Sequence, residues 1–88
     1  MARYEVILTK AAVKDADKIA AAGLAPKVRK LLALIEKDPF SPYPPYEKLL
    51  GNLTGLYSRR INIQHRLVYQ VLTEERIVKV LRMWSHYE

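Results

Sequence analysis

The chain has no cysteine, which excludes a disulfide framework, a thiolate metal site and a cysteine nucleophile. It has only two histidines, His65 and His86, too few for a structural zinc centre built on imidazoles. No apolar run approaches the roughly 18 residues that a membrane span needs. The N-terminus alternates apolar and polar residues and lacks the hydrophobic stretch of a signal peptide. These absences point to a cytoplasmic protein that does not engage a membrane. No repeat and no low-complexity tract is present, and 88 residues make one domain, spanning 1–88.

One further absence carries more information. Between Lys48 and Thr73 there is no carboxylate, while the interval holds Lys48, Arg59, Arg60 and Arg66. The whole chain carries 15 Lys and Arg against 9 Asp and Glu, a net charge of +6. A field of that sign attracts phosphates or an acidic protein partner.

What is present sorts into elements. Arg3 to Thr9 is rich in β-formers and reads as a strand, with Thr9 placed to cap a following helix. Lys10 to Ala22 has Val13, Ala16 and Ala20 at helical spacing, and Gly23 supplies the stop. Pro26 suits the first turn of a second helix. In that helix Leu24, Val28, Leu31, Leu32 and Ile35 form a buried stripe, with Lys27, Arg29 and Lys30 on the outer face. Pro39 ends it. Four of the five prolines fall between Pro39 and Pro45; this stretch is neither a helix interior nor a central strand. It reads as a stiff extended connector that places Glu47. Leu56 to Ile63 and His65 to Leu72 are two β-rich runs with a short connection near Gln64, and Arg76 to Ser85 is a third. The expected fold class is α+β: an N-terminal strand and an antiparallel two-helix hairpin packed on one face of an antiparallel sheet of about four strands.

Alternation puts Ser58, Arg60 and Asn62 on one face of the first run. Arg60 and Arg66 lie on neighbouring strands and could project together, either as two solvated cations or as an anion clamp. His86 and Tyr87 follow the third run. A histidine suits proton transfer near neutral pH and a tyrosine can stack on a base; the bland alternative is a frayed tail. His65 reads as a structural residue at the hairpin end and Trp84 as a packing aromatic. Tyr43 and Tyr46 are expected to pack beneath the connector.

The pieces Asn52-Leu53-Thr54-Gly55, Tyr57-Ser58-Arg59-Arg60-Ile61, His65-Arg66-Leu67-Val68-Tyr69 and the terminal His86-Tyr87 stand together in this order. With Glu47 and the Asp38-Pro39-Phe40 that follows the helices, they resemble the YoeB/Txe toxins of the RelE/ParE superfamily over nearly the whole chain. The resemblance implies a ribosome-dependent endoribonuclease that cuts messenger RNA in the A site without a cofactor or metal, neutralised by an acidic antitoxin of the YefM/Phd kind, with a homodimer left open. By the same resemblance, Glu47 matches the catalytic glutamate, Arg66 the transition-state arginine and His86 the catalytic histidine. Arg60, Tyr87 and Arg59 fall among the substrate-binding positions. The stretch from Arg66 to His86 is slightly longer than the family pattern, and Glu88 adds a carboxylate beside His86, which raises a histidine pKa. Two other classes share the features: a non-enzymatic inhibitor of the gyrase-poisoning ParE branch, and a plain basic RNA-binding module. Glu47 with His86-Tyr87 separates the nuclease from the first, and cleavage separates it from the second.

Overall fold

Thr9 decides where the first strand stops and the first helix begins. Its backbone is extended (φ −71°, ψ 167°). Its hydroxyl accepts from the Ala12 amide at 3.2 Å and donates to the Leu81 carbonyl at 3.0 Å. One side chain thus satisfies an orphan donor of the helix and ties it to a strand far along the chain. In the computed structural model, which describes residues 3–43, 45–49 and 55–84, the order is β1 (Glu5–Leu8), α1 (Lys10–Ala21), α2 (Ala25–Lys37), β2 (Tyr46–Lys48), β3 (Leu56–Arg60), β4 (Arg66–Leu72) and β5 (Ile77–Arg82). Gly23, at φ +74°, takes the left-handed turn that ends α1. Pro26 sits in the first turn of α2, as its sequence position implies.

The strands form one sheet in the order β1-β5-β4-β3-β2. β2, β3, β4 and β5 pair antiparallel in sequence order, whereas β1 pairs parallel with β5. Two features differ from the expected four-stranded antiparallel sheet. The residues after the proline run add a fifth strand, β2. The helical hairpin between β1 and the rest is a crossover long enough to bring β1 in parallel.

Both helices cover one face of the sheet. Val28, Leu31 and Ile35 of α2 and Ala12 and Ile19 of α1 pack on Leu67, Tyr69, Val71, Val78 and Val80. Of Val13, Ala16 and Ala20, only Ala16 packs against the core. Val13 is 56% exposed, and the buried positions are Ala12, Asp15 and Ile19. A carboxylate lies in the middle of the buried face, so hydrophobic spacing selects the wrong stripe.

The β3–β4 connection is longer than the sequence suggests. Asn62 Oδ1 accepts from the Gln64 and His65 amides at 2.9 and 2.7 Å, and the Ile61 amide donates to the His65 carbonyl. This side-chain turn takes residues 61–65 out of the ladder. It leaves Arg60 and Arg66 directly opposite each other as the last registered pair. Among the described residues no helix is long and apolar enough to cross a membrane.

Candidate functional site

The open end of β2, β3 and β4 forms a groove of about 610 Å³ whose lining includes Lys27, Glu47, Ser58, Arg60, Asn62 and Arg66. The pairing explains the convergence. Glu47 on β2 is the register partner of Ser58 on β3, and Arg60 is the partner of Arg66. Partners across a ladder share a face, as do residues two apart along one strand. Glu47, Ser58, Arg60 and Arg66 therefore project together. The sequence singles out all four, by alternation and by the resemblance; the structure adds Lys27 of α2.

Glu47 owes its position to its neighbours. Tyr46 points to the opposite face, where its ring packs against Phe40 and Tyr57 at centroid distances of 6.0 and 5.7 Å. Tyr57 in turn stacks on Tyr69. This aromatic block anchors a strand of three residues. Tyr43 is not part of it: it is 79% exposed, contrary to the expectation that it packs beneath the connector.

Glu47 is ion-paired with Arg66. Its side chain is 66% exposed, that of Arg66 only 20%. The hydrogen bond from Arg66, then the charge of Arg66 and the more distant charge of Arg60, hold the Glu47 carboxyl below the usual carboxylate value. It is ionised at neutral pH.

Arg59 stands elsewhere. The substrate-binding place expected for it is corrected by its burial: it is 0% exposed, on the helix-facing side of β3. Its Nε donates to the Tyr69 hydroxyl at 3.0 Å. One Nη donates to the carbonyls of Pro39 and Ser41 at 3.0 and 2.9 Å. The guanidinium also lies over the Tyr46 ring at 5.1 Å. The Tyr69 hydroxyl donates to Pro39 as well, at 2.9 Å; burial pushes its pKa up, against the pull of Arg59, so it stays a donor. Arg59 clamps the proline-rich connector to the sheet. It acts on the groove only through the placement of β2.

His86 and Tyr87, expected as catalytic histidine and base-stacking aromatic, lie outside the described residues, as does Glu88. The chain that leads to them is fixed as far as Trp84. Asp15, 2% exposed, accepts from Arg82 Nε at 2.8 Å and from the Met83 and Trp84 amides at 2.9 and 3.2 Å. Trp84 stacks on the buried ring of His65 at 3.7 Å. Both aromatic rings are structural, as expected. Asp15 and Lys27 carried no recognisable signal: one is a lone acid in an Ala- and Lys-rich helix, the other one of several outward lysines.

A family profile described as "YoeB-like toxin of bacterial type II toxin-antitoxin system" matches residues 13–87. The chain belongs to that family. It is 41% identical over 63 residues to the toxin RelK of Mycobacterium tuberculosis, covering 72% of each protein. The fold is similar to the YoeB/ParE toxin from Agrobacterium tumefaciens, with a TM-score of 0.84, 27% identity and coverage of 94% of this chain and 99% of that one. It is also similar to the toxin of the YoeB–YefM complex from Staphylococcus aureus, with a TM-score of 0.78, 34% identity and coverage of 98% and 100%. In this YoeB-like chain Glu47 and Arg66, the residues that the resemblance puts forward as a catalytic pair, meet in the groove.

Proposed function

We propose that this YoeB-like toxin is an endoribonuclease that cuts messenger RNA in the ribosomal A site, and that a cognate acidic antitoxin neutralises it. The observation that carries the reading is the convergence of one carboxylate and two guanidiniums, Glu47, Arg60 and Arg66, in a single groove.

The chemistry follows from RNA's own nucleophile. Glu47 takes the proton of a ribose 2′-hydroxyl. The 2′-oxygen then bonds to the adjacent phosphorus while the bond to the 5′-oxygen breaks. The leaving oxygen takes a proton, a task assigned to His86. The products are a 2′,3′-cyclic phosphate and a 5′-hydroxyl. Arg66 and Arg60 stabilise the negative charge that builds on the phosphorane. Arg66 serves two partners in turn. It holds Glu47 in the free protein, and the scissile phosphate draws it away when RNA arrives. The assignment needs no metal or cofactor.

The antitoxin reading rests on the positive field of this face and on the relative from Staphylococcus aureus, solved with YefM. An acidic segment that folds over the groove would cover Arg60 and Arg66 and inhibit directly. The deciding experiment is incubation with programmed 70S ribosomes and mapping of the message ends. Cuts confined to the A-site codon support the reading. An intact message, with gyrase blocked instead, would move the protein to the non-enzymatic branch of the superfamily.

A further inference from the structure

Ser58 is 1% exposed, and among the described residues its hydroxyl has no hydrogen-bond partner. A buried hydroxyl that makes no bond destabilises the fold. Nothing in the packing requires one here, since alanine would fill nearly the same space. Yet Ser58 sits on the floor of the groove, on the face shared by Glu47, Arg60 and Arg66, and directly across the β2–β3 ladder from Glu47. Cross-strand partners have Cβ atoms about 4.5–5.5 Å apart, within reach of a glutamate carboxylate and a serine Oγ. The carboxylate across the ladder, an acceptor for such a hydroxyl, is instead bonded by Arg66.

We propose that Ser58 is a positioning residue for Glu47: when a phosphate draws Arg66 away, the Ser58 hydroxyl donates to the carboxylate that Arg66 releases. The unmade bond of the free protein is the bond of the engaged one. The hand-off rests on Glu47 acting as the base, but its physical core, a change of donor on Glu47, is measurable without cleavage. Without it, a carboxylate on a three-residue edge strand would swing freely as soon as its ion pair opened. The charged groups that face Glu47 are Lys27 from α2, Arg60 from β3 and Arg66 from β4. None of them is a carboxylate, so changes in Glu47 titration at acid pH report on its hydrogen bonds.

The test compares the wild-type protein with Ser58→Ala. In carboxyl-detected NMR, Glu47 should titrate alike in the two free proteins, because Arg66 is the donor in both. With inorganic phosphate added until the Arg66 guanidinium signals stop shifting, the Glu47 pKa should be higher in Ser58→Ala by about half a unit to one unit, since a donated hydrogen bond stabilises the anion. Thermal unfolding of Ser58→Ala should occur at the wild-type temperature or above. Single-turnover cleavage on programmed ribosomes should fall by about 10–10²-fold, with its acid limb moved to higher pH and message binding unchanged. Equal Glu47 titration with phosphate present, or no phosphate effect on Glu47 in either protein, would overturn the hand-off. A titration difference in a protein that never cleaves would keep the hand-off and sink the nuclease reading. Normal cleavage by Ser58→Ala, with the wild-type pH profile, would do the reverse.

Discussion

A carboxylate and a guanidinium that pair with each other are both engaged before substrate arrives. Glu47 is kept ionised by Arg66, which suits an acceptor of protons at neutral pH but lowers its basicity while the pair is closed. Glu47→Gln keeps the shape and loses the carboxylate; on the proposed reading, single-turnover cleavage should fall by about 10²–10⁴-fold with ribosome binding retained. Arg66→Ala should lower the same step by about 10²–10³-fold. It should also move the acid limb to higher pH, because removing the cation lets the carboxyl pKa rise and the base protonates sooner as pH falls. An unchanged acid limb in Arg66→Ala would refute the coupling. Both residues were singled out in the sequence by their place in the motif, and the structure brings them into one ion pair. The place of Arg59 was not legible. It adjoins Arg60 in a strand, so alternation sends the two to opposite faces, but a charged residue is ordinarily read as solvent-facing. The partners that permit its burial are carbonyls of a proline-rich segment some twenty positions away, and only the fold brings them to it. Arg59→Ala should cost about 3 kcal/mol in urea unfolding, by leaving carbonyls unbonded. Arg59→Lys should recover little of that, since an ammonium cannot span the same fork of acceptors.

At the level of elements, α1 and β5 are joined by one carboxylate. Burial alone would raise the pKa of Asp15, but hydrogen bonds from Arg82 and from the Met83 and Trp84 amides outweigh it and hold the group below the usual carboxylate value. The stability this contributes is complete above the unfolded carboxylate pKa of about 3.9 and is lost as pH falls through the lower folded value. Acid unfolding of the wild-type protein should therefore steepen below about pH 4, and Asp15→Asn should flatten that part of the curve. At neutral pH Asp15→Ala should cost about 2–4 kcal/mol, because two buried amides lose their acceptor. If Asp15→Asn shows the wild-type acid profile, the carboxylate is not the titrating link. Helix ends were easy to read here, because Thr9, Gly23, Pro26 and Pro39 act through local sterics and capping. Helix faces were harder: in α1 the buried set includes an acid whose partners are at the far end of the chain. The short strand β2 was likewise hidden, since three residues after a proline run show no periodicity of their own.

For the molecule as a whole, charge and topology set the behaviour. A net charge of +6 on 88 residues draws the protein to any polyanion. The described groove, however, offers few groups to orient a flexible strand. Holding reactants in register is worth up to about 7–11 kcal/mol, and a ribosome that grips the codon can supply it. Naked RNA should be cut far more slowly than ribosome-bound message, with binding to naked RNA falling steeply as salt rises; equal rates on both substrates would contradict this.

The strand order has a consequence for the timing of folding. β5, the last strand in the element order, lies between β1 and β4, and the contact of Thr9 with Leu81 closes a loop of 72 positions. The N-terminal strand has no strand partner until β5 is in place, and such long-range closure is slow to offset its lost chain entropy. A chain in which β5 has not yet docked cannot join β1 to the rest of the sheet. The topology thus makes completion of the sheet a late event, set by the arrival of β5.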